Sequence, residues 1–289
     1  MTNLIEVSDS LRPRSSVVAL HCSLGSGRQW TRLAAQLGGN YRVIAPDLSG
    51  YGGNADTFDW PTTLAREVEL LSDRLHEAAG PIHLVGHSYG GAVAFKIATD
   101  SPFAARVRSL TLLEPVLPTL LLGSAADFRL HDRFARLAHE VCQDIWNGAA
   151  LEAIDRFTEF WNGSGPSEPL QAGARLRMIE HADKLVFDFR AAFAEPGVAA
   201  AAAALRVPTL LFSGGLSPYL TQRIVERLAW LIDGADALHL PRAGHMLPMT
   251  HASIVNPEIA KHIVRADELA ELPLAFSEGV AEAMGLVRD

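Results

Sequence analysis

Cysteine is nearly missing from this chain. Cys22 and Cys142 lie far apart and build neither a disulfide framework nor a paired metal motif. Two reduced thiols are expected, which suits a reducing, cytoplasmic setting. Long apolar runs are missing too: no stretch reaches the roughly 18 apolar residues of a spanning helix, and the opening MTNLIEVSDS carries acids instead. Positive charge is in deficit, with a formal net charge of −8 and a pI near 5.8, so nucleic acid and anionic membrane would be repelled on average. What is present is 48% hydrophobic and 20% charged residues over 289 positions, enough for one large core or two modest ones and too apolar for disorder. A small, weakly polar molecule is the expected partner.

Short β-rich apolar runs at 17–20, 41–45, 82–85, 110–113, 210–212 and 237–240 alternate with helical patterns at 27–38, 62–79, 89–100, 218–232 and 253–264. That rhythm predicts an α/β fold, a mostly parallel sheet with helices on both faces. The strands lack polar alternation, as strands covered on both sides should. Between Glu114 and Pro208 no strand is readable. Helical stretches near 126–147, 149–161 and 170–194, a turn at 162–169 and an alanine-rich helix at 199–204 predict a helical insertion.

HLVGHSYGGAV, residues 83–93, carries the clearest chemistry. Gly86-His87-Ser88-Tyr89-Gly90 fits G-x-S-x-G and stands between a strand and a helix, the context that a strained turn presenting a serine hydroxyl requires. A glycine-rich turn with an incidental serine is the plainer reading, and the two flanking elements favour the nucleophile. The helix that follows directs free N–H groups and partial positive charge at an oxyanion formed beside Ser88. With LHCSLGSGRQW at 20–30, RVIAPDLSGYG at 42–52 and PRAGHMLPMTH at 241–251, four motifs in order, the chain resembles the α/β-hydrolase family over most of its length.

The resemblance implies a serine hydrolase with Ser88 as nucleophile and His245 as general base, for which a side chain titrating near neutrality is suited. It implies an oxyanion hole from the N–H groups of Tyr89 and Ser23. Cys22 stands where the family usually has glycine, and a positive φ there would strain it. Of the other histidines, His87 is expected beside the nucleophile, His21 ordering its loop and His251 capping a helix. Asp47 belongs to a structural motif of the family.

Most family members place the triad acid after the strand that follows the insertion, here Ser213-Gly214-Gly215-Leu216-Ser217-Pro218, which contains none. Glu114, at the tip of the strand after the nucleophile's helix, is on the edge where such folds gather their sites. It resembles the arrangement of one branch of haloalkane dehalogenases. Asp127, Asp233 and Asp236 are its rivals, and a strand-end residue binding a neighbouring side chain is the plainer reading of Glu114.

The resulting expectation is a hydrolase core formed by 1–115 and 206–289 with a cap at 116–205, and a carboxylesterase acting on a small, largely apolar ester through Ser88, His245 and Glu114. Neither metal nor organic cofactor is implied. Most of the insertion's aromatics (Phe128, Phe134, Trp146, Phe157, Phe160, Trp161, Phe187, Phe189 and Phe193) are expected in the cap's own core, a few facing the serine. Thioesters, lactones, amides and C–C bonds yield to the same triad, and a non-catalytic ligand-binding relative of the family is the reading of another class. The tail 266–289 could pack on the body or on a second subunit.

Overall fold

The computed structural model describes residues 15–54, 62–162 and 172–272. The N-terminal stretch, most of the turn expected at 162–169 and the tail from 273 lie outside the described residues. Six strands, β1 (Ser16–Leu20), β2 (Arg42–Ile44), β3 (Ile82–His87), β4 (Val107–Leu113), β5 (Thr209–Gly214) and β6 (Asp236–Leu240), form one parallel sheet in the order β2-β1-β3-β4-β5-β6. The order runs one way from β1 to β2 and the other way from β3 onward. The crossovers therefore lay helices on both faces.

Alternate residues along each strand face opposite layers. Val17, Ala19, Val85, Leu210 and Phe212 pack with Trp30, with Leu33 and Leu37 of α1 (Thr31–Leu37), and with Val255, Ile259 and Ile263. Val18, Leu20, Leu84, Leu110, Leu112 and Leu211 face the other layer. That layer includes α2 (Leu64–Leu70), α3 (Ser72–Glu77) and α4 (Tyr89–Thr99). Each such side chain withdrawn from water contributes about 1.5–3 kcal/mol, so the apolar runs that mark the strands also hold the sheet between its layers. β6 departs from the expectation of covered strands: as an edge strand with one neighbour, it leaves Asp236 through His239 exposed.

Between β4 and β5 the chain forms α5 (Ala125–Trp146), α6 (Ala150–Asn162), α7 (Ala172–Glu180), α8 (Ala182–Ala194) and α9 (Val198–Ala204). After β5 come α10 (Tyr219–Leu231), α11 (Leu247–Thr250) and α12 (Ala252–Glu271). Two stretches expected as single helices are each broken: 62–79 at Leu71, and 170–194 at His181, whose φ −111° and ψ 13° depart from helical geometry. Ser124 caps α5, its hydroxyl accepting from the N–H of Asp127 in the first turn.

The register sets the site. His87 pairs with Leu113, and Leu113 with Phe212, so the residues just after β3 and β4 lie side by side at the C-terminal edge. Gly214 pairs with Leu240, and His245 follows a few residues later on the same edge.

Candidate active site

Ser88 sits on the turn between β3 and α4 with φ 56° and ψ −120°. Positive φ costs a non-glycine residue about 1–3 kcal/mol, and persists where the surroundings hold it. The Ser88 N–H bonds to Leu113 O, and its carbonyl accepts from the N–H groups of Gly91, Ala92 and Val116. The glycines make room for this. A Cβ on Gly90 would meet His21 O at 2.3 Å, and one on Gly86 would meet Gly90 O at 2.5 Å.

Three side chains expected from the sequence meet in one row. Glu114 Oε2 lies 2.6 Å from His245 Nδ1, and His245 Nε2 lies 2.9 Å from Ser88 Oγ. A carboxylate only accepts, so Nδ1 carries the ring proton and Nε2 accepts from the serine. All three are buried. The acid-free segment after β5 takes part through its backbone: Gly214 N–H donates to Glu114 Oε1 at 2.7 Å, which orients the carboxylate. Glu114 has a positive φ of 46°. Of its rivals, Asp127 pairs with Arg223 and Arg227, and Asp236 with Arg265.

His87 is buried against His245, ring centroids 4.9 Å apart, and its Nε2–H donates to the His245 carbonyl at 2.8 Å. Burial, then the neighbouring His245, holds its pKa well below the ordinary value, so it stays neutral. His21 spans its loop, Nδ1–H to Cys22 O at 2.7 Å and Nε2 accepting from Leu48 N–H at 2.9 Å. His251 occupies the position before α12 but does not cap it; its ring bonds Thr250 Oγ1 at 2.9 Å instead. Asp47 accepts from the N–H groups of Gly27 and Gly53.

A cleft with about 290 Å³ of unfilled space, part of it open to solvent, lies over Ser88. Ser23, Ser88, Tyr89 and Val116 form one side, and Phe134, Phe157, Trp161 and Phe189 from the inserted helices form an aromatic wall. Trp161 stacks on the His245 ring with centroids 4.1 Å apart. Of the aromatics in the insertion, Phe128 and Trp146 are exposed, and Phe134 and Trp161 are buried.

The N–H of Tyr89 opens α4, where first-turn donors have no partner within the helix, and it borders the cleft together with Ser23. Cys22 is spared the strain its position threatened. The positive φ of this loop falls on Leu24, at 59°, and Cys22 is a buried filler whose thiol burial pushes up to about 12.

A buried charged cluster beside the cleft went unread in the sequence. Asp188 accepts from Ser23 Oγ at 2.5 Å and Tyr51 Oη at 2.6 Å, and pairs with Lys184, one turn earlier on α8. Lys184 also reaches Glu67 Oε2 at 3.4 Å; Tyr89 Oη donates to that same oxygen and Ser49 N–H to Oε1. Burial raises the Glu67 pKa, with Lys184 opposing. Lys184 and Asp188 share a face of α8 with Leu185, Phe189 and Ala192, and Glu67 joins them only through the fold.

A parallel sheet that ends in a serine turn, with an imidazole and a carboxylate converging on its C-terminal edge, defines a hydrolase-type α/β protein. The chain belongs to the alpha/beta hydrolase family, whose model matches residues 17–258. It is 28% identical over 260 residues to RutD of Klebsiella pneumoniae (strain 342), a proposed carbamate hydrolase, covering 84% of this chain and 90% of that one. It is 37% identical over 102 residues to lipase LipV of Mycobacterium tuberculosis, a match spanning 35% of this chain and 37% of the lipase. Among solved structures, MenH from S. aureus superposes with TM-score 0.74 at 19% identity, covering 89% of this chain and 96% of that one. Carboxylesterase CesB from Bacillus subtilis gives TM-score 0.65 at 19% identity, covering 86% and 83%. At such identities the superpositions show the fold alone.

Proposed function

We propose that the protein is a serine hydrolase of the carboxylesterase type acting on a small ester. The observation that carries this reading is the unbroken row from Ser88 Oγ through the His245 ring to Glu114, with 2.9 and 2.6 Å links. Ser88 Oγ attacks the ester carbonyl while its proton passes to His245 Nε2. Glu114 holds Nδ1–H and stabilises the imidazolium. The N–H groups of Tyr89 and Ser23 receive the oxyanion. As the tetrahedral intermediate collapses, His245 returns the proton to the departing alkoxide, leaving an acyl group on Ser88. Water, deprotonated by His245, then attacks that acyl group, and Ser88 leaves with its proton restored.

Residues 116–205 act as the cap of this reading, their aromatic wall shielding the acyl group from bulk water. The likeness to RutD favours a second bond class for the same row, a carbamate, and comparing phenyl acetate with phenyl carbamate separates the two. A non-catalytic binding protein drew its motive from the acid missing at 213–218, and the reach of Glu114 to His245 weighs against it. Incubation with a fluorophosphonate probe and with p-nitrophenyl acetate tests the enzyme reading. Labelling at Ser88 with turnover is expected, both lost in Ser88→Ala; absence of both in the wild type would favour the binding protein.

A further inference from the structure

The side chains of Ser23 and Asp188, at the edge of the cleft, present only hydrogen-bond acceptors to whatever lies over Ser88. Ser23 has one hydroxyl proton, and it is committed to Asp188 Oδ2. Tyr51 donates to the same oxygen, and Lys184 to Oδ1. A carboxylate offers about four lone-pair positions, so with three donors in place one remains on Asp188, beside the free lone pairs of Ser23 Oγ. Both residues line the cleft, and Asp188 is only 4% exposed. A donor on a bound molecule that reached this position would gain a hydrogen bond to an ionised acceptor screened from water, worth more than one made in solvent.

The charge balance narrows the donor. Two carboxylates, Glu67 and Asp188, surround one ammonium, Lys184, which is itself fully buried behind Tyr51 and Tyr89 and stacked over their rings at 5.2 and 4.9 Å. Among the described residues no basic side chain lines the cleft. A carboxylate on the substrate would meet repulsion there, whereas a neutral or cationic donor would not.

We infer that Ser23 Oγ and Asp188 together select substrates bearing a hydroxyl or N–H donor next to the scissile carbonyl, with the remainder of the acyl group apolar. The inference rests on the hydrolase reading of Ser88. It places the donor close to the carbonyl because Ser23 serves twice, its N–H toward the oxyanion and its side chain toward the neighbouring substituent. The aromatic wall of Phe134, Phe157 and Phe189 takes the apolar remainder. 2-Hydroxyacyl and 2-aminoacyl esters and carbamates share this chemistry; dicarboxylic half-esters are excluded by it.

The test is steady-state kinetics on phenyl 2-hydroxypropionate against phenyl 2-fluoropropionate. Fluorine is small and electron-withdrawing but donates no hydrogen bond, so intrinsic reactivity works against the expected result. The hydroxy ester is expected to have the higher kcat/KM by about 10- to 100-fold, the range of one hydrogen bond to an ionised or buried acceptor. Ser23→Ala, which leaves the pairing of Asp188 with Lys184 and Tyr51 in place, should lower that ratio toward one, and Ser23→Thr should restore it. A merely structural role would change both esters together and leave the ratio alone. A wild-type ratio near one, or a ratio untouched in Ser23→Ala, overturns the inference while the enzyme reading stands. Failure to hydrolyse either ester, with no fluorophosphonate labelling at Ser88, overturns both.

Discussion

Glu114 is the residue on which the proposed chemistry turns, and its two oxygens have different duties. Oε1 accepts from Gly214 N–H and Oε2 faces His245 Nδ1. In Glu114→Gln the amide oxygen would keep the Gly214 bond, leaving the NH₂ to face Nδ1. Two donors cannot share that contact, so the ring would turn to the tautomer that protonates Nε2 and can no longer accept from Ser88. The expected outcome is a fall in kcat of about 10³- to 10⁴-fold with unchanged circular dichroism, measured on p-nitrophenyl acetate. Unchanged turnover would remove Glu114 from the mechanism. At this scale Ser88 is legible from its glycine-flanked turn and His245 from its late position after the last strand. Glu114 is legible by the lack of any acid in 213–218. The cluster of Glu67, Lys184 and Asp188 is not, because its members meet only through folding. Lys184 and Asp188 read in isolation as an ordinary solvated pair on a helix.

At the scale of elements, the strand-turn-helix around Ser88 is tightly pressed against its neighbours. Gly90 packs against the carbonyls of Leu20 and His21, which belong to β1 and the loop after it, so a side chain there would push the nucleophile's helix off the sheet. Gly90→Ala is expected to destabilise by about 2–3 kcal/mol, and at about 2–4 °C per kcal/mol for a domain of this size its Tm should fall by about 5–10 °C. Differential scanning fluorimetry reads this directly; a Tm within 1 °C or so of wild type would show that the two elements are not so closely pressed. The strands are legible because apolar runs ended by turn residues are what a sheet covered on both sides requires. Helix breaks at Leu71 and His181 are not: both segments keep a continuous helical pattern, and the interruptions come from backbone geometry rather than from a proline or glycine. The exposure of β6 is likewise a property of its place at the sheet edge, which composition does not encode.

For the whole molecule, the internal histidines set the acid limit of stability. His21 and His83 are buried, and burial lowers each from an ordinary 6.5 to about 4. His83 keeps its ring between Ser109 Oγ and Asp267, with Arg108 nearby. Their unfolded forms take up protons below about 6.5 while the folded forms do not, so the unfolded state binds more protons between about 6.5 and about 4. Their contribution to stability is therefore full above pH 6.5 and is lost as pH falls toward 4, by about 3 kcal/mol for each group at one pKa unit per 1.36 kcal/mol. Urea denaturation at pH 7, 5.5 and 4.5 should give falling midpoints with a constant slope. A flat profile would mean that these rings accept protons in place. Among the described residues no helix is long and apolar enough to cross a membrane.

The acid and the serine are neighbours in a further sense. Ser88 O accepts from Val116 N–H, two residues past Glu114, and Ser88 N–H donates to Leu113 O, one residue before it. The inserted helices thus hang from a knot that also fastens the nucleophile. Here any hinge placed between Pro115 and Leu117 would loosen nucleophile and acid at once, so a rearrangement of the inserted helices that spares the site would have to begin farther along, beyond the point where the chain is tied down.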